Sequence, residues 1–245
     1  MIEDVMTVMW KEFKELIAMK GTMKGGVYRL IIPFGLLGVY LPIVFGRSFI
    51  DTPFILLLYI WFPMLMGIAI VLDSIAGERE RHTLETLLAS RLSDRAILYG
   101  KISSAVVYGF GMTLIFIALG IAMVNIVFWP GHILIYPFET LAFTLLAALL
   151  INILLAAVGV LVSLHAQTVR QGSETLMGAI IGIAAIPFIL YYVLPDSLKV
   201  PMINSLLSMG MTNIAIAMVL VLAILCAIVL YAAMLSFQRN KLILD

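Results

Sequence analysis

The 245-residue chain has one cysteine, three histidines and little charge, with Asp, Glu, Lys and Arg making up 12% of it. Each shortage excludes something. Cys226 alone can form neither an intramolecular disulfide nor a thiolate metal cluster. His82-Thr83-Leu84-Glu85 is not the HExxH arrangement, and His132 and His165 fall on opposite sides of a membrane in the topology derived below, so no metal site is expected. The run "AILYGKIS" has Arg95 where a phosphate loop needs its first glycine and Ile102 where it needs a hydroxyl, so the chain is not expected to bind ATP that way. With no serine elbow and no Ser/His constellation, no catalytic residue is expected either. The opening Met1-Ile2-Glu3-Asp4 has no basic lead-in, and no signal peptide is predicted. Net charge of +1 says little about partners, and its distribution says more; no nucleic-acid partner is expected.

What the chain has in quantity is apolar surface: 63% hydrophobic residues and a mean hydropathy of +1.15. Soluble domains are about 45–50% apolar and about 25% charged, so the composition is that of a membrane protein. Six apolar runs have lengths suited to spanning helices, at about 30–45, 53–72, 102–128, 140–164, 176–194 and 212–237. The fold class read from them is all-α, a six-helix transmembrane domain over 29–245 preceded by an interfacial helix over 1–28. Pro33 and Pro42 are positioned to kink the first and shortest run.

Lysine and arginine set the orientation. Lys11, Lys14, Lys20, Lys24, Arg29, Arg79, Arg81, Arg91, Arg95, Lys101, Arg170, Arg239 and Lys241 fall on one side, and only Arg47 and Lys199 on the other. The positive-inside rule then places both termini in the cytoplasm of a multi-pass protein of the cell membrane. In 1–28, Met6, Met9, Trp10, Phe13 and Ile17 recur at helical spacing while Lys11, Glu12, Lys14 and Glu15 take the other side. That pattern fits a helix lying on the lipid surface, or a solvated helix without membrane contact. The outer segment 195–213 reads either as a short helix over 202–209, with Met202, Leu206 and Met209 on one face, or as a plain loop.

All 14 acidic residues lie outside the runs or at their edges, whereas ion-coupled transporters bury carboxylates in their spans. A secondary transporter is therefore the weaker alternative. The polar groups left inside are neutral, among them Thr113, Asn125, Thr144, Asn152 and Ser163. Asn125, Asn152 and Thr144 are candidates for a substrate path or for interhelical hydrogen bonds, and Asn152, deep in the fourth run, most needs a partner.

Charge gathers instead in "GERERHTLETLLASRLSDRAILYGK", residues 77–101, within a predicted cytoplasmic loop over 73–101. Residues 83–90 can form a short amphipathic helix with Leu84, Leu87 and Leu88 on one side and Glu85 away from it. Ser93 is placed to cap the next helix, with Asp94 in its first turn. Pairs such as Arg81 with Glu85 stabilise a helix by only about 0.2–0.5 kcal/mol each, so self-pairing hardly accounts for the density of charge. Leucines beside charges of both signs fit a docking element; a solvated loop that anchors topology is the alternative.

The stretch resembles the loop of ABC-2 type transporter permeases, whose pattern runs approximately E-R-E-x-G-T-L-E-x-L-L-x-x-P, followed by a serine or basic residue and by G-K at the third span. Glu78, Arg79, Glu80, Thr83, Leu84, Glu85, Leu87, Leu88, Ser93, Gly100 and Lys101 match it. His82 replaces the glycine, which reads as a position that needs no positive φ, and Arg91 replaces the proline, removing a helix stop. The resemblance implies a permease subunit of an ATP-driven exporter working by alternating access. Its ATP and magnesium would be held by a separate cytoplasmic ATP-binding subunit, and a second permease copy would complete it in the lipid bilayer. It also implies that residues 78–88, Arg81 included, couple the two subunits. A membrane protein that only transmits ATPase strokes or acts as a scaffold is the other alternative.

Overall fold

The computed structural model describes residues 1–21, 32–52, 55–83, 89–208 and 210–237. Among these every regular element is a helix. They are α1 (Ile2–Gly21), α2 (Phe34–Phe45), α3 (Ser48–Asp51), α4 (Leu56–Glu80), α5 (Asp94–Val127), α6 (Phe138–His165), α7 (Val169–Val193), α8 (Asp196–Ser208) and α9 (Met211–Ser236).

Five of them, α4, α5, α6, α7 and α9, are long and apolar enough to cross a membrane. The first predicted run is shorter: α2 covers Phe34–Phe45 and is π-helical over Phe34–Tyr40. Those twelve residues, at about 1.5 Å each, are shorter than a hydrocarbon core of about 30 Å, and residues 22–31 ahead of them lie outside the described residues. The helix predicted over 202–209 is instead α8, which starts at Asp196; Met209 lies outside the described residues. The predicted cap on α5 is present, since the Ser93 side chain accepts a hydrogen bond from the Ala96 N–H at 3.3 Å.

α4, α5 and α6 pack together as the centre, α9 lies against α6, and α1 lies against α5. The three central helices meet where small residues let them approach. A Cβ on Gly67 of α4 would stand 3.2 Å from the Ala105 carbonyl of α5, and one on Gly109 of α5 would collide with the Asn152 side chain of α6. Close contact between small residues is what drives association where lipid is as apolar as leucine. α7 and α9 are mostly exposed, with Ile181, Ile183, Ile224 and Tyr231 all uncovered by the rest of the chain.

The far end of the bundle from Lys101 is closed by aromatic residues. Phe49, Tyr59 and Phe116 are fully buried. Tyr59 donates to the Leu37 carbonyl at 2.6 Å and Tyr136 to that of Phe49 at 3.0 Å. Asn125 pins the 128–137 connection there, its amide donating to the Leu134 carbonyl at 2.8 Å and its oxygen accepting from the Leu134 N–H at 2.7 Å.

Candidate functional site

The end of α4 is built differently from its middle. After Leu72 the helix widens into a π turn over Asp73–Gly77, returns to α over Glu78–Glu80, and stops. A π turn adds a residue to the ring and re-aims the side chains that follow, which is why such segments collect at functional sites. The stop is a Schellman turn: the Thr83 N–H donates to the Glu78 carbonyl at 2.9 Å and the His82 N–H to that of Arg79 at 3.0 Å. Such a turn needs a left-handed residue, and His82 has φ +58°. The reading that no positive φ was needed at position 82 is therefore corrected. The histidine occupies the glycine's place in the glycine's conformation.

That geometry carries a prediction. A non-glycine residue held left-handed costs about 1–2 kcal/mol, partly offset by the greater freedom glycine has when unfolded. His82→Gly is expected to stabilise the protein by up to about 1 kcal/mol, measured as a higher thermal midpoint in detergent. A lower midpoint would mean that the imidazole is needed where it stands.

From this stop three side chains reach four other elements. Glu78, 3% exposed, enters a buried ionic cluster with α1 and α5. Lys101 at the head of α5 is completely buried. Its ammonium donates to Glu12 Oε1 at 2.9 Å and to the Ser74 carbonyl, and pairs with Glu78 Oε2 at 2.9 Å without hydrogen-bond alignment. Lys11 bonds Glu78 Oε1 from the outer side and pairs with Glu15 at 3.1 Å and Glu12 at 3.7 Å. Carboxylate oxygens of Glu12, Glu15 and Glu78 lie within 4.8 Å of one another, and the Lys11 ammonium is the cation that contacts all three. Burial raises the Glu12 pKa above the ordinary carboxylate value against the pull of Lys101 and Lys11. Burial works to lower that of Lys11, but Glu78, Glu12 and Glu15 outweigh it and leave it raised.

Arg79 reaches α6. Its Nη1 donates to the Leu164 carbonyl at 3.1 Å and to that of Ala166 at 3.0 Å, satisfying orphan acceptors where α6 ends. Glu80 accepts from the Val169 N–H that opens α7 at 3.4 Å. Arg81 turns back to Asp73 Oδ2 at 3.1 Å, across Gly77, where any Cβ would collide with both side chains. Thr83 Oγ1 donates to the Glu78 carbonyl at 3.2 Å.

The structure thus brings Glu78, Arg79, Glu80, Arg81 and Thr83 to one junction of α1, α4, α5, α6 and α7. Leu84, Glu85, Leu87 and Leu88 lie outside the described residues, and Thr83, Ala89 and Ser90 around them are not helical. Residues 89–92 are turn and bend, so no helix runs through Arg91 despite the missing proline. Asn152, Thr144 and Asn125 are elsewhere. Asn152 donates to the Ala148 carbonyl at 2.8 Å at the crossing with Gly67 and Gly109, and Thr144 donates to that of Thr140 at 2.7 Å. Asn125 is 24 residues up α5 from Lys101, about 36 Å at 1.5 Å per residue.

The periodicity of α1 missed Glu12 and Lys11 as site residues because it set them on a polar outward face. Lys101 carried a usable signal: it is the last charge before the 102–128 apolar run, and it follows Gly100, where a Cβ would overlap Val8 of α1. A comparison with curated protein sequences finds no match. A family model described as "ABC-2 family transporter protein" matches residues 19–205, three quarters of the chain, including the whole junction segment and the heads of α5 and α7. The chain belongs to the ABC-2 transporter family.

Proposed function

We propose that this ABC transporter permease is the membrane half of an exporter that has no motor of its own. Cytoplasmic ATP-binding subunits press on residues 78–88, and a second permease copy faces the first across the bilayer. The observation that supports this best is the junction itself: three consecutive residues, Glu78 to Glu80, bind the surface helix α1, the head of α5, the end of α6 and the start of α7. A push delivered beside them is shared by several long helices at once. Such rigid-body shifts are how a docked motor would move spans between inward-facing and outward-facing states.

The bias of lysine and arginine toward this end supports its cytoplasmic placement, and with it cytoplasmic termini. Among the described residues, Thr113, Thr144, Asn152 and Ser163 each donate to a carbonyl of their own helix. This favours a substrate path along the exposed faces of the bundle rather than a polar channel inside one copy. The same observation is what a force-transmitting protein that moves no substrate would show, and transport by the complex in liposomes separates the two.

The docking test uses Leu87→Asp. Burying a leucine is worth about 1.5–3 kcal/mol, and a carboxylate there adds a desolvation cost. The variant is expected to insert normally and to lose co-purification with the ATPase. Glu85→Arg is expected to keep assembly while lowering transport. Wild-type assembly and transport by both variants would remove the coupling role from this segment.

A further inference from the structure

Three buried charges from three distant parts of the chain are costly to keep. Lys101 and Glu12 are 89 residues apart, and Lys101, Glu12 and Glu78 are 0%, 3% and 3% exposed. Well-packed apolar residues often replace such a triad with no loss of stability, whereas removing one partner leaves an uncompensated buried charge. What the triad supplies is therefore geometry. Each glutamate is held by both lysines: Glu78 by Lys11 and Lys101, Glu12 by Lys101 at 2.9 Å and Lys11 at 3.7 Å. This crossed arrangement joins α1 to α4 and α5 in one register, beside the contact of Val8 with Gly100. The members are not equivalent. If α1 leaves, Lys101 still has Glu78 and the Ser74 carbonyl, so the bundle keeps its buried cation neutralised while α1 alone comes away.

We infer that Lys101 is a positioning residue whose ammonium, shared between Glu12 and Glu78, clasps the surface helix α1 to the junction and makes α1 move with it. The docking of α1 stands by itself; that its movement serves transport rests on the function proposed above. On its free side α1 carries Ile2, Met6 and Trp10, all more than half exposed, with Lys14 over the Trp10 ring at 5.6 Å. The clasp thus ties the motor-facing segment to a helix whose free side is apolar.

The test measures docking in the full-length chain alone, in nanodiscs, with Cys226→Ser and spin labels on cysteines at the exposed positions Thr7 and Arg95. The wild-type background is expected to give one narrow separation. Glu12→Lys turns an ammonium toward Lys101 and Lys11 and leaves the bundle's own pair intact. The docked-to-undocked ratio is expected to fall on the order of a hundredfold, read as a shift to long, broad separations. Lys101→Met is expected to do the same at about pH 8 and to recover at about pH 5. Without Lys101, Glu12 faces Glu78 from α4 and Glu15 on its own helix with only Lys11 among them, and protonating it ends the repulsion.

Wild-type separations in Glu12→Lys would overturn the clasp. So would Lys101→Met docked at both pH values, which would leave only the aliphatic stem at work, or undocked at both, which would make the loss one of packing. Should Lys101→Met fail to fold, Glu12→Lys decides alone. None of these readings needs the ATPase, so they fail separately from the proposed function, which the Leu87→Asp result decides.

Discussion

Replacing Gly109 with leucine is expected to separate α4, α5 and α6, whereas the same change at Gly111, two residues along the same helix, is expected to leave them packed. A Cβ at position 109 lands on the Asn152 side-chain oxygen and comes within 3.4 Å of the Pro63 carbonyl, while one at position 111 meets nothing within 4 Å. Asn152 has no easy retreat. It is 4% exposed, and its amide is held by the Ala148 carbonyl at 2.8 Å. Overpacking of this kind costs typically about 1–3 kcal/mol and at times more, and here backbone as well as side chain stands in the way. In an SDS titration of the purified protein, Gly109→Leu should unfold at distinctly lower detergent fraction than wild type, and Gly111→Leu near it. Equal loss in both variants would mean that helix propensity, not the crossing, sets the effect.

Asn152 was identifiable in the sequence as a deep amide that needs company, because its cost in an apolar run is a property of the residue alone. The glycines around it were not. Gly109 and Gly111 look alike in a string of letters, and only the rotation of α5 against α4 and α6 tells the crowded one from the open one. The same limit explains α1. Its spacing fixed a helix and an apolar stripe, but Glu12 reads as a solvent-facing charge until a lysine 89 positions away is folded over it. Ser93 and Asp94 were legible because a cap is a local matter, settled within one turn. The π turns at Phe34–Tyr40 and Asp73–Gly77 leave no mark on apolar runs of the kind that located the spans. The left-handed turn at His82 was hidden by the one residue that departs from the pattern's glycine.

The second large effect is expected at Arg79. Its guanidinium supplies both donors to the end of α6, and no other side chain of the 78–83 segment reaches that helix among the bonds described above. A cation there also suits the negative end of the helix. Arg79→Ala removes two hydrogen bonds from a charged donor, and such bonds contribute about 1.5–3 kcal/mol each to stability. Partial exposure of the group and water entering the gap put the net loss nearer the lower figure. Under the function proposed above, the consequence follows from the tie that is cut: the pairs of Glu78 and Glu80 remain, so a motor would still dock and displace α1, α5 and α7, but α6 would no longer follow. With the ATPase present, Arg79→Ala is therefore expected to assemble and hydrolyse ATP while transport per ATP falls roughly tenfold, a coupling loss of the ordinary size for a broken link between sites. Arg79→Lys should recover part of it, since an ammonium keeps the charge but reaches less far. Transport per ATP that is unchanged in Arg79→Ala, measured in proteoliposomes alongside hydrolysis, would show that α6 is driven through its packing on α4 and α5 rather than through this bond.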